Sequence, residues 1–226
     1  MPYVALAVAI LLLVFGPMLY VRWTMARHGG DRADFPGTGG ELARHLLDEA
    51  GLNQVPVELT DHGDHYDPVD RVVRLSEAHF NGRSVTAVAV AAHEVGHAVQ
   101  HRDGMRMFGL RVRLVRVLIP VQRAADVVFL VSGLVAITLR APVILLGQGV
   151  LLVGMMALSV VVHLVTLPVE LDASWRRALP ALENGGYIAP EDMRGARSVL
   201  RAAALTYVAQ ALMSLLDITR LARIFR

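Results

Sequence analysis

The chain has 226 residues, 54% of them hydrophobic, with a positive mean hydropathy. That balance, concentrated in long runs, argues against an ordinary water-soluble domain. The lack of Cys excludes disulfides and thiolate metal ligands, and a net charge of +2, with dispersed Arg and no Lys, leaves no basic face for nucleic acid.

Residues 2–21 carry no charge, and as a helix they are long enough to cross a hydrocarbon core of about 30 Å. Pro17 is tolerated near the end of such a helix, and Tyr3, Tyr20 and Trp23 suit the interface. A cleaved signal peptide would need a basic start and a clear small-residue cleavage site, and neither is present. Arg22 and Arg27 follow the run, so residues 1–23 are expected to be an uncleaved anchor with its N-terminus outside.

A region over 24–118 is then expected in the cytoplasm. Residues 27–40 read as a linker, with Gly37–Gly40 a turn or helix lead-in rather than a phosphate cradle. Glu41–Ala50 reads as a short amphipathic helix stopped by Gly51. Val55–Leu59 and Arg71–Leu75 read as short strands around a polar hairpin loop, Thr60–Pro68. That loop holds Asp61, His62, Asp64, His65 and Asp67, whose spacing fits no EF-hand or zinc pattern. A free edge on the second strand, beside the next helix, would suit an extended peptide.

The next helix is expected over 84–101, with Ser84 as N-cap after the Asn81-Gly82 turn. It contains His93-Glu94-Val95-Gly96-His97. Residues four apart lie one helical turn above each other, so His93 and His97 can offer two imidazole nitrogens to one metal ion. Glu94 projects from an adjacent face, within reach of a water at that metal, as in H-E-x-x-H hydrolases. A small residue at Gly96 would let another segment come close to the metal.

Arg106–Arg123 alternates Arg with Leu and Val, as an amphipathic stretch at a cytoplasmic membrane surface would. Residues 124–139 and 141–167 are apolar and flank the turn Arg140-Ala-Pro142, so a transmembrane hairpin is expected over 119–168. His163, ionisable and near the cytoplasmic end of the second run, is a candidate functional residue. Residues 169–226 would begin in the cytoplasm, given Arg176, Arg177, Arg194, Arg197 and Arg201, and end in a membrane-associated helix near 202–218 that spans or partly enters the bilayer.

A catalytic zinc needs three protein ligands and one open position. His101 lies one turn beyond His97, and a straight helix cannot direct three successive turns at one ion. Glu170 is the better third ligand, at the cytoplasmic mouth of the long span that Pro168 is expected to end. Two membrane crossings separate it from His93, so both residues return to the same side. Asp172 is placed to accept an N–H from a liganding imidazole. Tyr66, His163, Tyr187 and Tyr207 are the candidates for stabilising an oxyanion.

With these residues in view, the chain resembles the YugP-like neutral zinc metallopeptidases, a family of bacterial membrane proteins. The resemblance runs through Asp64–Pro68, Arg74–Ser76, Asn81–Ser84, Ala91–Gln100, Leu167–Ser174, Gly195–Arg197 and Ala202–Val208. It implies metal ligation by His93, His97 and Glu170, with Glu94 as the catalytic base. The wider HtpX-like group has a similar site facing the cytoplasm and commonly carries an Asp four residues after the Glu, where this chain has Ser174.

The expected protein is therefore mostly α: an integral membrane helical protein of three to four spans, carrying a cytoplasmic zincin-like α+β region with a small sheet. Its expected activity is zinc-dependent endopeptidase cleavage near the cytoplasmic face of the bacterial plasma membrane, with one Zn2+ per chain. The expected partners are a protein or peptide substrate and the lipid bilayer, with no nucleic acid. The rival function is a non-catalytic membrane scaffold in which the metal ties two segments together.

Overall fold

The computed structural model describes residues 2–215, apart from some side chains near either end and that of Pro142. Eight α-helices and three short strands occur among the described residues. Helix α1 (Pro2–His28) leads to α2 (Gly39–Glu49), then β1 (Val57–Leu59), β2 (His65–Asp67) and β3 (Val72–Leu75). A short α3 (Glu77–Phe80) precedes α4 (Val85–Arg102), which carries the two motif histidines. The long helices α5 (Arg106–Leu139) and α6 (Pro142–Leu171) follow, then a π-helical segment (Asp172–Ala178), α7 (Leu179–Gly185) and α8 (Met193–Leu215).

Capping explains where the helices begin. Thr38 accepts from the Glu41 N–H while the Glu41 carboxylate accepts from the Thr38 N–H, a reciprocal box that starts α2 at the glycine lead-in. Ser84 accepts from the Ala87 N–H and starts α4. Nearly all of α4 is buried, with α2, α8, the sheet and the π segment against it. Leu47, Leu75, Leu182, Val199 and Leu200 are shut away from solvent in this core, each worth roughly 1.5–3 kcal/mol of transfer. The core thus holds α4 rigidly from several sides.

The sheet order is β1-β3-β2, with β1 parallel and β2 antiparallel to β3. This corrects the reading of residues 60–68 as loop throughout, since His65–Asp67 pairs with Val72–Arg74. It also moves the free edge. β3 is bonded on both sides, and the edge strand against α4 is β2.

Pro168 does not end the long helix: α6 continues to Leu171 and passes into the π segment. Proline removes its own N–H and crowds the carbonyl four residues before it, yet the helix continues through it for a further turn. Helices α5 and α6 form an antiparallel hairpin closed at Arg140, which adopts φ 48°. Gln148 clamps the pair by donating to the Phe129 carbonyl at 2.9 Å and to Ser132 Oγ at 2.8 Å.

Among the described residues, one helical run, Val143–Gly185, is long and apolar enough to cross a membrane. The expected three to four spans are therefore not supported. α5 is a single helix from Arg106, and its uncharged stretch 127–139 rises only about 20 Å, short of the about 30 Å of a hydrocarbon core. The C-terminal expectation over 202–218 falls partly outside the described residues.

Candidate metal centre

Helix α4 sets one turn between His93 and His97, and their rings lie edge to face with centroids 4.7 Å apart. Glu170 arrives from the end of α6. His93 Nε2 lies 3.1 Å and His97 Nε2 3.5 Å from the same oxygen, Glu170 Oε2. One candidate ligand atom from each of the three residues lies within 4.8 Å of the others, and all three residues are buried.

The close approach depends on Gly96. A Cβ there would stand 3.0 Å from the Ala173 carbonyl oxygen, so the small residue lets α4 lie against the π segment. That segment then brings Ser174 Oγ to 3.0 Å from His93 Nδ1. The Gln100 amide donates to the Val169 carbonyl at 2.7 Å and to Asp172 Oδ2 at 2.9 Å. Its Oε1 is thereby turned toward His97 Nδ1, at 2.9 Å.

These contacts show whether a metal fits. Gln100 Oε1 can only accept, so the proton of a neutral His97 sits on Nδ1. The Nε2 lone pair then faces Glu170 Oε2, and two lone pairs at that distance call for a cation between them. Burial works against charge on His93, yet the hydrogen bond to Glu170 and the nearby Glu94 charge outweigh it and hold its pKa above the ordinary value. Arg111 Nη1 lies 2.9 Å from Glu170 Oε1 in an ion pair, and among the described residues that buried oxygen has no aligned hydrogen-bond donor. Two imidazole nitrogens and a carboxylate without Cys form a donor set that suits zinc.

Glu94 is buried next to this group, and its Oε2 accepts from the Tyr66 N–H on β2 at 2.9 Å. A cavity of about 650 Å³ is bordered by His93, Glu94, His97 and Glu170. Its other walls are largely apolar and include Val90, Val112, Val115 and Leu200.

The other anticipated residues fall elsewhere. His101 bonds the Tyr66 hydroxyl at 2.9 Å and lies outside the ligand group, as a straight α4 requires. Burial, helped by the Arg71 charge, lowers the His101 pKa. Asp172 takes its hydrogen bond from Gln100 and pairs with Arg177, one residue removed from the ring it was expected to hold. Tyr187 donates to Glu49 at the surface. His163 sits about 10 Å along α6 from Glu170 and does not border the cavity. The side chain of Tyr207 lies outside the described residues.

Sequence reasoning missed Gln100 and Arg111. Gln100 was legible in principle, three residues after His97 and so on the same helix face. Arg111 was hidden in a stretch that reads as membrane-surface arginines, and only the packing of α5 brings it to Glu170.

The model of a family described as "Putative neutral zinc metallopeptidase" matches residues 3–226. A Bacillus subtilis (strain 168) protein named "Putative membrane protease YugP" is 40% identical over 230 aligned positions, covering 100% of this chain and 97% of that protein. No solved structure matches.

Proposed function

The chain belongs to the neutral zinc metallopeptidase family, and on that premise we propose that it is a membrane-bound endopeptidase in which His93, His97 and Glu170 hold one zinc ion and Glu94 is the general base. The observation that carries this reading is the convergence of two imidazole Nε2 atoms and a buried carboxylate next to a second carboxylate on the wall of an open cavity.

Zinc, when bound, would lower the pKa of a coordinated water and polarise the scissile carbonyl. Glu94 takes the proton of the attacking water and returns it to the leaving amine. The Tyr66 N–H holds Glu94 Oε2, which leaves Oε1 for that proton. Gln100 and Ser174 fix the two imidazoles so that their Nε2 atoms meet Glu170. The apolar cavity walls exclude water and receive the side chains of a peptide. The same cavity favours the enzyme over the metal-held scaffold, which has no need of open space at the metal.

The bilayer reading rests on the α5–α6 hairpin. Leu130, Ile137, Leu146 and Val150 are each more than 70% exposed on it, an apolar surface that water does not favour. We place the hairpin tip in the membrane and the metal end at the cytoplasmic face, in a bacterial plasma membrane. Protein or peptide segments near that face are the proposed substrates.

The deciding experiment measures zinc in detergent-purified protein, together with cleavage of a denatured protein substrate such as casein. Wild type should carry about one zinc and cleave. Glu170→Ala should lose the zinc, and Glu94→Gln should keep the zinc and lose cleavage. Full cleavage by Glu94→Gln would sink the assignment of the base.

A further inference from the structure

The cavity beside the metal ligands has a second polar group in its wall, formed by His79 on α3 and Asp64 in the turn before β2. His79 Nδ1 lies 2.7 Å from Asp64 Oδ2. The other carboxylate oxygen, Asp64 Oδ1, accepts from the Ser76 N–H at 2.8 Å and from the Ser76 hydroxyl at 3.0 Å. The carboxylate is thus fixed by three donors. Burial works against its charge, but the His79 hydrogen bond and charge, with those from Ser76, prevail and keep its pKa below the usual carboxylate value. An ionised Asp64 requires the proton in the 2.7 Å contact to sit on Nδ1. Nε2 is then the ring nitrogen that Asp64 does not engage, in a residue that borders the cavity.

Peptide hydrolysis through a tetrahedral species needs a donor for its oxyanion. Of the candidates whose side chains are described, the Tyr66 hydroxyl is bonded to His101, Tyr187 to Glu49, and His163 stands off the cavity. His79 borders the cavity, with its ring orientation set by an independent carboxylate.

We propose that His79 is a catalytic residue that donates a hydrogen bond from Nε2 to the oxyanion of the tetrahedral intermediate, and that Asp64 is the positioning residue that holds its ring. When the ring carries both protons, Nδ1–H is given to Asp64 and Nε2–H to the oxyanion. This rests on the peptidase reading above. It also gives a role to the Asp- and His-rich stretch before β2 that metal binding does not use. The competing role is structural, with Asp64, Ser76 and His79 merely pinning α3 to the turn.

The test measures binding of two inhibitors to zinc-loaded, detergent-solubilised full-length protein by calorimetry. One is a blocked phosphinic tripeptide with apolar side chains, whose tetrahedral anion mimics the intermediate. The other is the matching thiol peptide, which engages the metal through sulfur alone. His79→Phe should weaken the phosphinic peptide about 100-fold, the usual scale for one oxyanion donor, and change the thiol by less than about 3-fold. Asp64→Asn should shift the same ratio in the same direction by a smaller factor. Should His79→Phe fail to fold, His79→Leu, which also removes the donor, carries the same comparison. Equal weakening of both inhibitors, or none, would overturn the proposal and leave the peptidase reading standing. A zinc-loaded wild type that binds neither inhibitor would overturn both.

Discussion

Gln100 Oε1 lies 2.9 Å from His97 Nδ1, and the Gln100 amide is locked by Val169 and Asp172 across the helix interface. One buried side chain therefore links the metal helix to the segment that carries Glu170. Gln100→Leu should lower zinc affinity about 10–100-fold, the usual effect of losing a partner of a ligating imidazole. Competition with a chromophoric chelator would measure it. Unchanged affinity would show that His97 needs no such support.

Arg111 stands 2.9 Å from the carboxylate that completes the ligand group. Without metal, its charge offsets that of buried Glu170; with metal, the cation does so. Arg111→Met should lower the melting temperature of the metal-free protein more than that of the zinc-loaded protein. Each kcal/mol lost corresponds to about 2–4 °C at this chain length. Equal shifts in both forms would mean that Arg111 acts only through packing.

Gly96 faces the backbone of Ala173. Helix propensity alone would favour Gly96→Ala by about 1 kcal/mol. The contact opposes this, because a buried carbonyl in the π segment must give way. Gly96→Val should cost both stability and zinc, and Gly96→Ala should show a smaller loss of the same kind. Thermal melts with metal analysis would check this. A more stable Gly96→Ala with full zinc would show that the segment yields freely.

Asp64 titrates below its ordinary value because His79 and Ser76 hold its charged form. For a carboxylate depressed in the folded state, the stabilisation is complete above the unfolded pKa and fades as pH falls through the folded one. The melting-temperature gap between wild type and Asp64→Asn should therefore shrink as pH falls below about 4, where unfolded Asp protonates. A gap that widens on acidification would reverse the assignment.

Val150 is 75% exposed on α6. If this face meets lipid, Val150→Arg should cost insertion about 2.5–3.5 kcal/mol near the centre of the helix. Alkaline carbonate extraction would then release part of the variant and none of the wild type. Release of both would remove the hairpin from the bilayer.

The His93, Glu94 and His97 group could be read from the chain because a helix converts a spacing of four residues into proximity, with no help from the rest of the fold. The Ser84 cap, the α2 lead-in and the apolar hairpin runs were legible for the same local reason. Glu170 was reached by an argument about two membrane crossings, of which the described residues support only one, and the structure brings it to both imidazoles by packing. What the chain alone did not disclose depends on approach between distant segments. β2 was hidden because a three-residue strand has too little periodicity to stand out among Asp and His. The π segment after Pro168, which aims Ser174 at His93, lies against α4 at Gly96. Gln100, Arg111 and the Asp64–His79 pair find their partners through tertiary contacts, over separations that sequence spacing does not encode. Local spacing determined the motif helix, and tertiary contacts decided what surrounds it.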